Sequence, residues 1–176
     1  LWHIMKIYEF YGINDFVICC GYKGKMIKEF FEDDKGKWNV ECVDTGLNTM
    51  TGGRIKKIEK YVDDTFSLTY GDTLSNVNLD EIIKIHKQTN KIATVTACNP
   101  PEKYGVLKIE NNNVISFSEK PLIKDIWING GFFILEQSVF EYIKDEKTSW
   151  EEESMIELVK RKQLSAFKHT GFWQCM

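Results

Sequence analysis

The sequence predicts an α/β protein of doubly wound layout, and three observations carry that expectation. Short runs rich in β-branched and aromatic residues alternate with stretches of helical period from residue 1 to about residue 98. The intervening helices are long enough to act as crossovers, which calls for a mainly parallel sheet covered on both faces. One of the runs, "FSLTY" at 66–70, closes on Gly71-Asp72, and ligands of such sheets bind beyond the carboxyl ends of the strands.

The elements follow in order. An amphipathic helix over about 1–11 sets Leu1, Ile4, Met5 and Tyr8 on one face. The strand "DFVICC" at 15–20, a helix around "KGKMIKEFFED" and the strand "NVECVD" at 39–44 come next. A loop, "TGLNTMTGG", leads to the helix "RIKKIEKYV" and the strand "FSLTY"; the helix "LDEIIKIHKQT" at 79–89 precedes the strand "KIATVTAC" at 91–98. After residue 100 the rhythm changes. "GVLKIENNNVISFSEKP" reads as a β-hairpin turning at "ENNN". "WINGGFFIL" is a strand whose two internal glycines signal a bulge or a place where a ligand meets the backbone. A late amphipathic helix, "ESMIELVKRKQ", and a closing strand, "LSAFKHTGFW", complete the chain, with no repeat or linker to divide it. One domain over 1–176 is expected.

Bulk properties narrow the function. With 176 residues the chain can bury a substantial core. A net charge of −3 argues against nucleic-acid binding through bulk positive charge, while leaving room for a single nucleotide held by a few placed cations. No apolar stretch approaches the roughly 20 residues of a membrane span, and no signal peptide is visible. The cysteines at 19, 20, 42, 98 and 175 show no CxxC and no metal-ligand spacing. Cys19, Cys20, Cys42 and Cys98 sit inside or beside apolar strand candidates, and with the odd total this suits reduced thiols in the cytoplasm. His3, His86 and His169 are far apart and read as structural or surface residues.

Four places could carry chemistry. Asp72 would present a carboxylate at a sheet edge beside Gly71, which lets a ligand approach the backbone; a polar turn bonded within itself is the alternative. "TGLNTMTGGR" is rich in hydroxyls and glycine and ends in Arg54, and the amides of a helix start favour anions. It matches neither GxGxxG nor a P-loop, and an N-cap turn with Thr51 as the cap explains it equally. In "SEKP", Lys120 could neutralise a phosphate and Glu119 accept from sugar hydroxyls. Asn129 in "INGG" can donate and accept. One carboxylate for a metal, one phosphate lysine and several neutral partners suit phosphoryl-type transfer, where positioning and charge neutralisation dominate. No thiol or hydroxyl has a histidine partner visible in sequence, and the paired carboxylates of a glycosidase are lacking.

These residues carry a resemblance. "LWHIMKIYEFYGINDFVICCGYKG", "VDTGLNTMTGGRIKKI", "TYGDTLSN", "YGVLKIENNNVISFSEKP", "INGGFFIL" and "GFWQCM" together resemble the glucose-1-phosphate cytidylyltransferases, of the sugar-nucleotide pyrophosphorylases. The resemblance implies a Rossmann-like nucleotidyltransferase fold, a mainly parallel mixed sheet flanked by helices, with the β-hairpin serving the sugar site. It implies transfer of a cytidylyl group from CTP to α-D-glucose 1-phosphate with Mg²⁺, giving CDP-glucose and pyrophosphate for surface-polysaccharide pathways. Asp72 would ligate Mg²⁺ with Gly71 against the nucleotide; Thr49 and Arg54 would contact CTP. Lys120 would hold the sugar phosphate, and Glu119, Gly105 and Asn129 would line the sugar site. A cytoplasmic homo-oligomer is implied, with neither nucleic acid nor membrane as partner.

The family also begins with a strand and a glycine-rich loop that grips the triphosphate. It carries a longer stretch between "KEFFEDD" and "KWNVECVD", and has a second metal-binding aspartate at the point where this sequence ends. A partial chain, inactive by itself, is therefore expected. A non-catalytic nucleotide or sugar-phosphate binding domain, or a relative using UTP or dTTP, is the alternative.

Overall fold

A computed structural model describes residues 1–33, 38–99, 106–119 and 126–176. In chain order the elements are α1 (Trp2–Phe10), β1 (Asp15–Cys20), α2 (Gly24–Asp33), β2 (Asn39–Asp44), α3 (Thr51–Lys57), β3 (Thr65–Thr69) and β4 (Thr73–Ser75). They continue with α4 (Leu79–Thr89), β5 (Ala93–Cys98), β6 (Val106–Glu110), β7 (Asn113–Ser118), β8 (Ile128–Glu136), α5 (Met155–Lys160), β9 (Leu164–His169) and β10 (Trp173–Cys175).

The apolar run "FFIL" explains the centre of the fold. Side chains of a strand alternate between faces, and β8 feeds two separate clusters accordingly. Phe133 and Leu135 join Ile55, Phe140, Trp150 and Leu158 on one side. Phe132 and Ile134 join Ile4, Tyr8, Leu79 and Ile82, from α1 and α4, on the other. The four-stranded sheet has the order β3-β8-β5-β9. Strand β8 is antiparallel to both neighbours and β5 is parallel to β9, so three strands run one way and β8 alone runs back. The sheet is thus mixed; β1 and β2 form a separate parallel pair, and β10 pairs antiparallel with β4.

Helix α4 shows local sequence rules at work. Asn78 accepts the Glu81 amide at its start, acidic residues fill the first turn, and Asn90 closes the helix in the left-handed conformation. The hairpin turns on Asn111 and Asn112, both at positive φ, the two-residue connection that matches strand twist.

Elsewhere tertiary packing moved the boundaries. Helix α3 starts at Thr51 rather than Arg54, and a 3-10 turn at Glu59–Tyr61 replaces its expected last residues. Gly52 and Gly53 lie against the backbone of 146–148, where a Cβ on Gly53 would come within 2.3 Å of the Glu146 oxygen. That close contact favours glycine inside the helix despite its low propensity. The late helix begins as a π turn, Trp150–Ser154, before α5. The closing strand breaks after His169, so β9 and β10 enter different sheets.

The glycines of "INGG" mark a bulge. Val95 faces Phe133 while Ala97 faces Asn129, leaving three β8 residues opposite Thr96 alone. The cysteines are free, and burial pushes the Cys19, Cys42 and Cys98 thiols up to about 11. His86 and His169 are buried and hydrogen-bonded within the protein. Among the described residues no helix is long and apolar enough to cross a membrane.

Candidate functional site

The loop between β2 and α3 is built around one arginine. The end of β1 offers the Cys20 carbonyl, which accepts from the Thr45 amide at 2.8 Å and the Thr45 hydroxyl at 2.7 Å. The Arg54 guanidinium donates to the Thr45 hydroxyl oxygen at 2.6 Å and reaches the Cys20 and Leu47 carbonyls at 3.2 and 3.4 Å. The Thr49 hydroxyl donates to the Thr45 carbonyl at 2.6 Å and accepts from the Lys57 ammonium, which also pairs with Glu146. Thr49 and Arg54 are thus brought onto one loop, and their polar ends fix its shape. Two amides at the α3 start are already taken: those of Met50 and Gly53 donate to the Glu146 and Thr148 carbonyls. Nor is Thr51 the cap. Met50 occupies that position, and the Thr51 hydroxyl donates to Glu151 at 2.6 Å.

The sheet edge after β3 holds the second part. Tyr70 and Gly71 follow β3, and Asp72 stands exposed in the turn to β4. Among the described residues the Asp72 carboxylate has only loose contacts, the Thr73 hydroxyl at 3.4 Å and the Cys175 thiol at 3.8 Å. The pairing of β4 with β10 brings the Met176 amide onto the Asp72 carbonyl at 2.8 Å. At Gly71 a Cβ would meet nothing within 4 Å and φ is not positive, so the protein itself does not require glycine there. The space beside Asp72 is open.

Tyr70 links these parts. Its hydroxyl donates to Glu151 Oε1 at 2.6 Å and accepts from Asn129 Nδ2 at 3.0 Å. Glu151 Oε2 accepts from Thr51. Asn129 Oδ1 accepts the Gly131 amide at 2.9 Å. Burial, together with the neighbouring Glu151 carboxylate, pushes the Tyr70 phenol well above its ordinary value, so it keeps its proton.

The expected sugar-side residues divide. Asn129 begins β8 and is part of this network; Glu119 follows β7 and is exposed. Gly105 and Lys120 lie outside the described residues. Among the described residues no group of three His, Cys, Asp or Glu side chains could enclose a metal. Mg²⁺ usually keeps several waters and takes one or two carboxylates plus substrate phosphates. A single exposed carboxylate fits that mode of binding and does not fit a closed cage.

Sequence reasoning missed Glu151, Thr51 as its partner, and the Tyr70 hydroxyl. It also missed a hydroxyl–histidine pair, Ser75 and His169, at 3.1 Å. Both are buried, and Ser75 Oγ also donates to the Phe172 carbonyl at 2.8 Å, so the pair braces the β9–β10 connection. Nothing in the local sequence signals partners 81 to 100 residues apart.

Comparison with known proteins adds the wider setting. The family described as "Nucleotidyl transferase" matches residues 1–174. Glucose-1-phosphate cytidylyltransferase of Salmonella typhi is 43% identical, the match covering 100% of this chain and 78% of that protein. The probable glucose-1-phosphate cytidylyltransferase of Bacillus subtilis is 40% identical over 98% of this chain and 77% of its own length. The Salmonella match runs over 200 residues against the 176 here, so that relative carries residues this chain lacks. The crystal structure of HddC from Yersinia pseudotuberculosis superposes with a TM-score of 0.72, covering 99% of this chain and 78% of that one. At 22% identity it shows the shared fold.

Proposed function

The chain belongs to the nucleotidyl transferase family, and from that premise we propose that it transfers a cytidylyl group from CTP to α-D-glucose 1-phosphate. A phosphate oxygen of the sugar phosphate attacks the α-phosphorus of CTP in line. The bond to the β-phosphate oxygen breaks, and CDP-glucose and pyrophosphate result. The observation that carries this reading is the similarity, over the whole chain, to proteins named for that reaction.

The residues take roles in keeping with it. Arg54 and Thr49 hold the loop after β2 in the shape that receives the nucleotide, and Gly71 leaves its backbone open to the same ligand. Asp72 would hold Mg²⁺, which when bound neutralises charge on the phosphate oxygens. Asn129 and Glu119, with Gly105, line the sugar side, and Lys120 neutralises the sugar phosphate. In-line transfer asks little covalent chemistry of the protein, so orienting both substrates is the main task of these groups. The same proposal places the enzyme in the cytoplasm as a homo-oligomer. The exposed Met26 and Phe30 on α2 offer apolar surface for such a contact.

The test is pyrophosphate release by the full-length protein with Mg²⁺ and glucose 1-phosphate, supplying CTP, UTP, dTTP and ATP separately. Release with CTP that depends on the sugar phosphate is the expected result. Release with a different nucleotide overturns the base assignment. Binding of CTP by calorimetry without turnover overturns the enzyme reading in favour of a binding module.

A further inference from the structure

Glu151 stands where three distant segments cross. Thr51, at the start of α3, donates to one of its oxygens and Tyr70, directly after β3, to the other, both at 2.6 Å. Tyr70 then accepts from Asn129 at the start of β8. The Tyr70 ring has little freedom. A Cβ on Gly131 would lie 2.4 Å from it, and the Phe133 ring meets it edge-on at 6.0 Å.

The hydrogen count fixes what Asn129 can offer. A phenol has one hydrogen, and Tyr70 gives it to Glu151, so only a lone pair faces Asn129. The Asn129 amide nitrogen must therefore point at Tyr70, with its oxygen on the Gly131 amide. Among the described residues the remaining N–H meets only the Met155 sulfur at 3.9 Å, a weak acceptor that a ligand oxygen would replace.

We propose that Glu151 and Tyr70 are positioning residues that hold Asn129 as a donor toward the sugar phosphate, and hold the Thr51 end of α3 on the nucleotide side. One carboxylate thereby sets the geometry of both substrate halves. The inference rests on the cytidylyl-transfer reading and names residues that reading does not assign. Neither residue needs to touch the reacting atoms.

The test is steady-state kinetics of the full-length protein with each substrate varied, alongside thermal midpoints. Losing a hydrogen bond to a charged group should change affinity by about tenfold. Tyr70→Phe should raise KM for glucose 1-phosphate by about that factor, with KM for CTP nearly unchanged. Thr51→Val should do the reverse, Glu151→Gln should raise both, and adding Tyr70→Phe to Glu151→Gln should add little. A wild-type protein that releases no pyrophosphate with CTP overturns the cytidylyl reading and this inference with it. A working wild type overturns the inference alone if Tyr70→Phe leaves both KM values unchanged. The same holds if Tyr70→Phe raises both in step while lowering the midpoint, which is what loss of packing would do.

Discussion

Replacing Gly131 by alanine tests the packing that holds the site together. Gly131 has φ +77°, and a Cβ there would sit 2.4 Å from Tyr70 Cδ2 and 3.1 Å from Cε2. Holding a non-glycine residue in this left-handed region costs about 1–2 kcal/mol. Carbon atoms prefer separations of about 3.5–4.0 Å, so the ring must withdraw by roughly an ångström or β8 must distort. Overpacking of this kind costs about 1–3 kcal/mol. The two terms make about 2–5 kcal/mol, a large share of the roughly 5–15 kcal/mol that holds a domain together. Moving the ring also strains the Tyr70 bonds to Glu151 and Asn129, so KM for glucose 1-phosphate should rise in the fraction that folds. Urea unfolding of wild type and Gly131→Ala, compared at equal slope, measures the loss. Gly71→Ala is the control: it meets nothing within 4 Å and needs no unusual φ. Its stability should stay within about 0.5 kcal/mol of wild type, while the proposed place of its open backbone against the nucleotide calls for a higher KM for CTP. A Gly131→Ala protein as stable as wild type would refute the steric reasoning.

Three other outcomes are expected. Asp72→Asn should lose turnover by at least about 100-fold with an unchanged thermal midpoint, because the carboxylate is exposed and only loosely bonded; wild-type rates would remove its proposed metal role. His86→Ala should cost about 2–4 kcal/mol, since the buried imidazole bonds Thr94 and Glu136, both at 2.8 Å. Its kcat should hold, because Glu136 faces Thr65 at the far end of β3 from Tyr70; a preserved midpoint in urea would contradict this. Burial raises the Cys98 thiol from 9.0 to about 11, so the folded protein favours the neutral thiol. That contribution is complete below pH 9 and is lost as pH rises toward 11, so stability should fall across this window, and less steeply in Cys98→Ala. Equal slopes in the two proteins would show that the thiol does not report on folding.

The buried centre was readable because its signals are local. "FFIL" is a continuous apolar run and "ATVTAC" is β-branched and small, and alternation alone assigns Phe132 and Phe133 to opposite faces. The direction of β8 was not readable, since alternation is identical for a parallel and an antiparallel neighbour. The glycines of "INGG" were conspicuous, but their reason, the Tyr70 ring and the unmatched Thr96, comes from residues about 35 to 60 positions away. The exposed place of Asp72 just after β3 was legible from the Gly-Asp that closes the run, and a polar turn accounts for the same letters.

Glu151 was not legible, and the acidic run "EEE" at 151–153 shows why. Ser149 accepts the Glu152 amide at 3.1 Å, which looks like the opening of a capping box. In a box the residue three after the cap would reach back to the cap amide. Here Glu153 does so, at 3.0 Å, and the Ser154 amide reaches the Ser149 carbonyl, five residues back. The turn is therefore a π turn with one residue more than the local pattern implies, a departure common at functional sites. In this turn Glu151 meets Thr51 and Tyr70, while the carboxylate that closes the cap belongs to its neighbour. The cap bond sets Glu153 apart locally, while Glu151 is distinguished by contacts with Thr51 and Tyr70, far away in sequence.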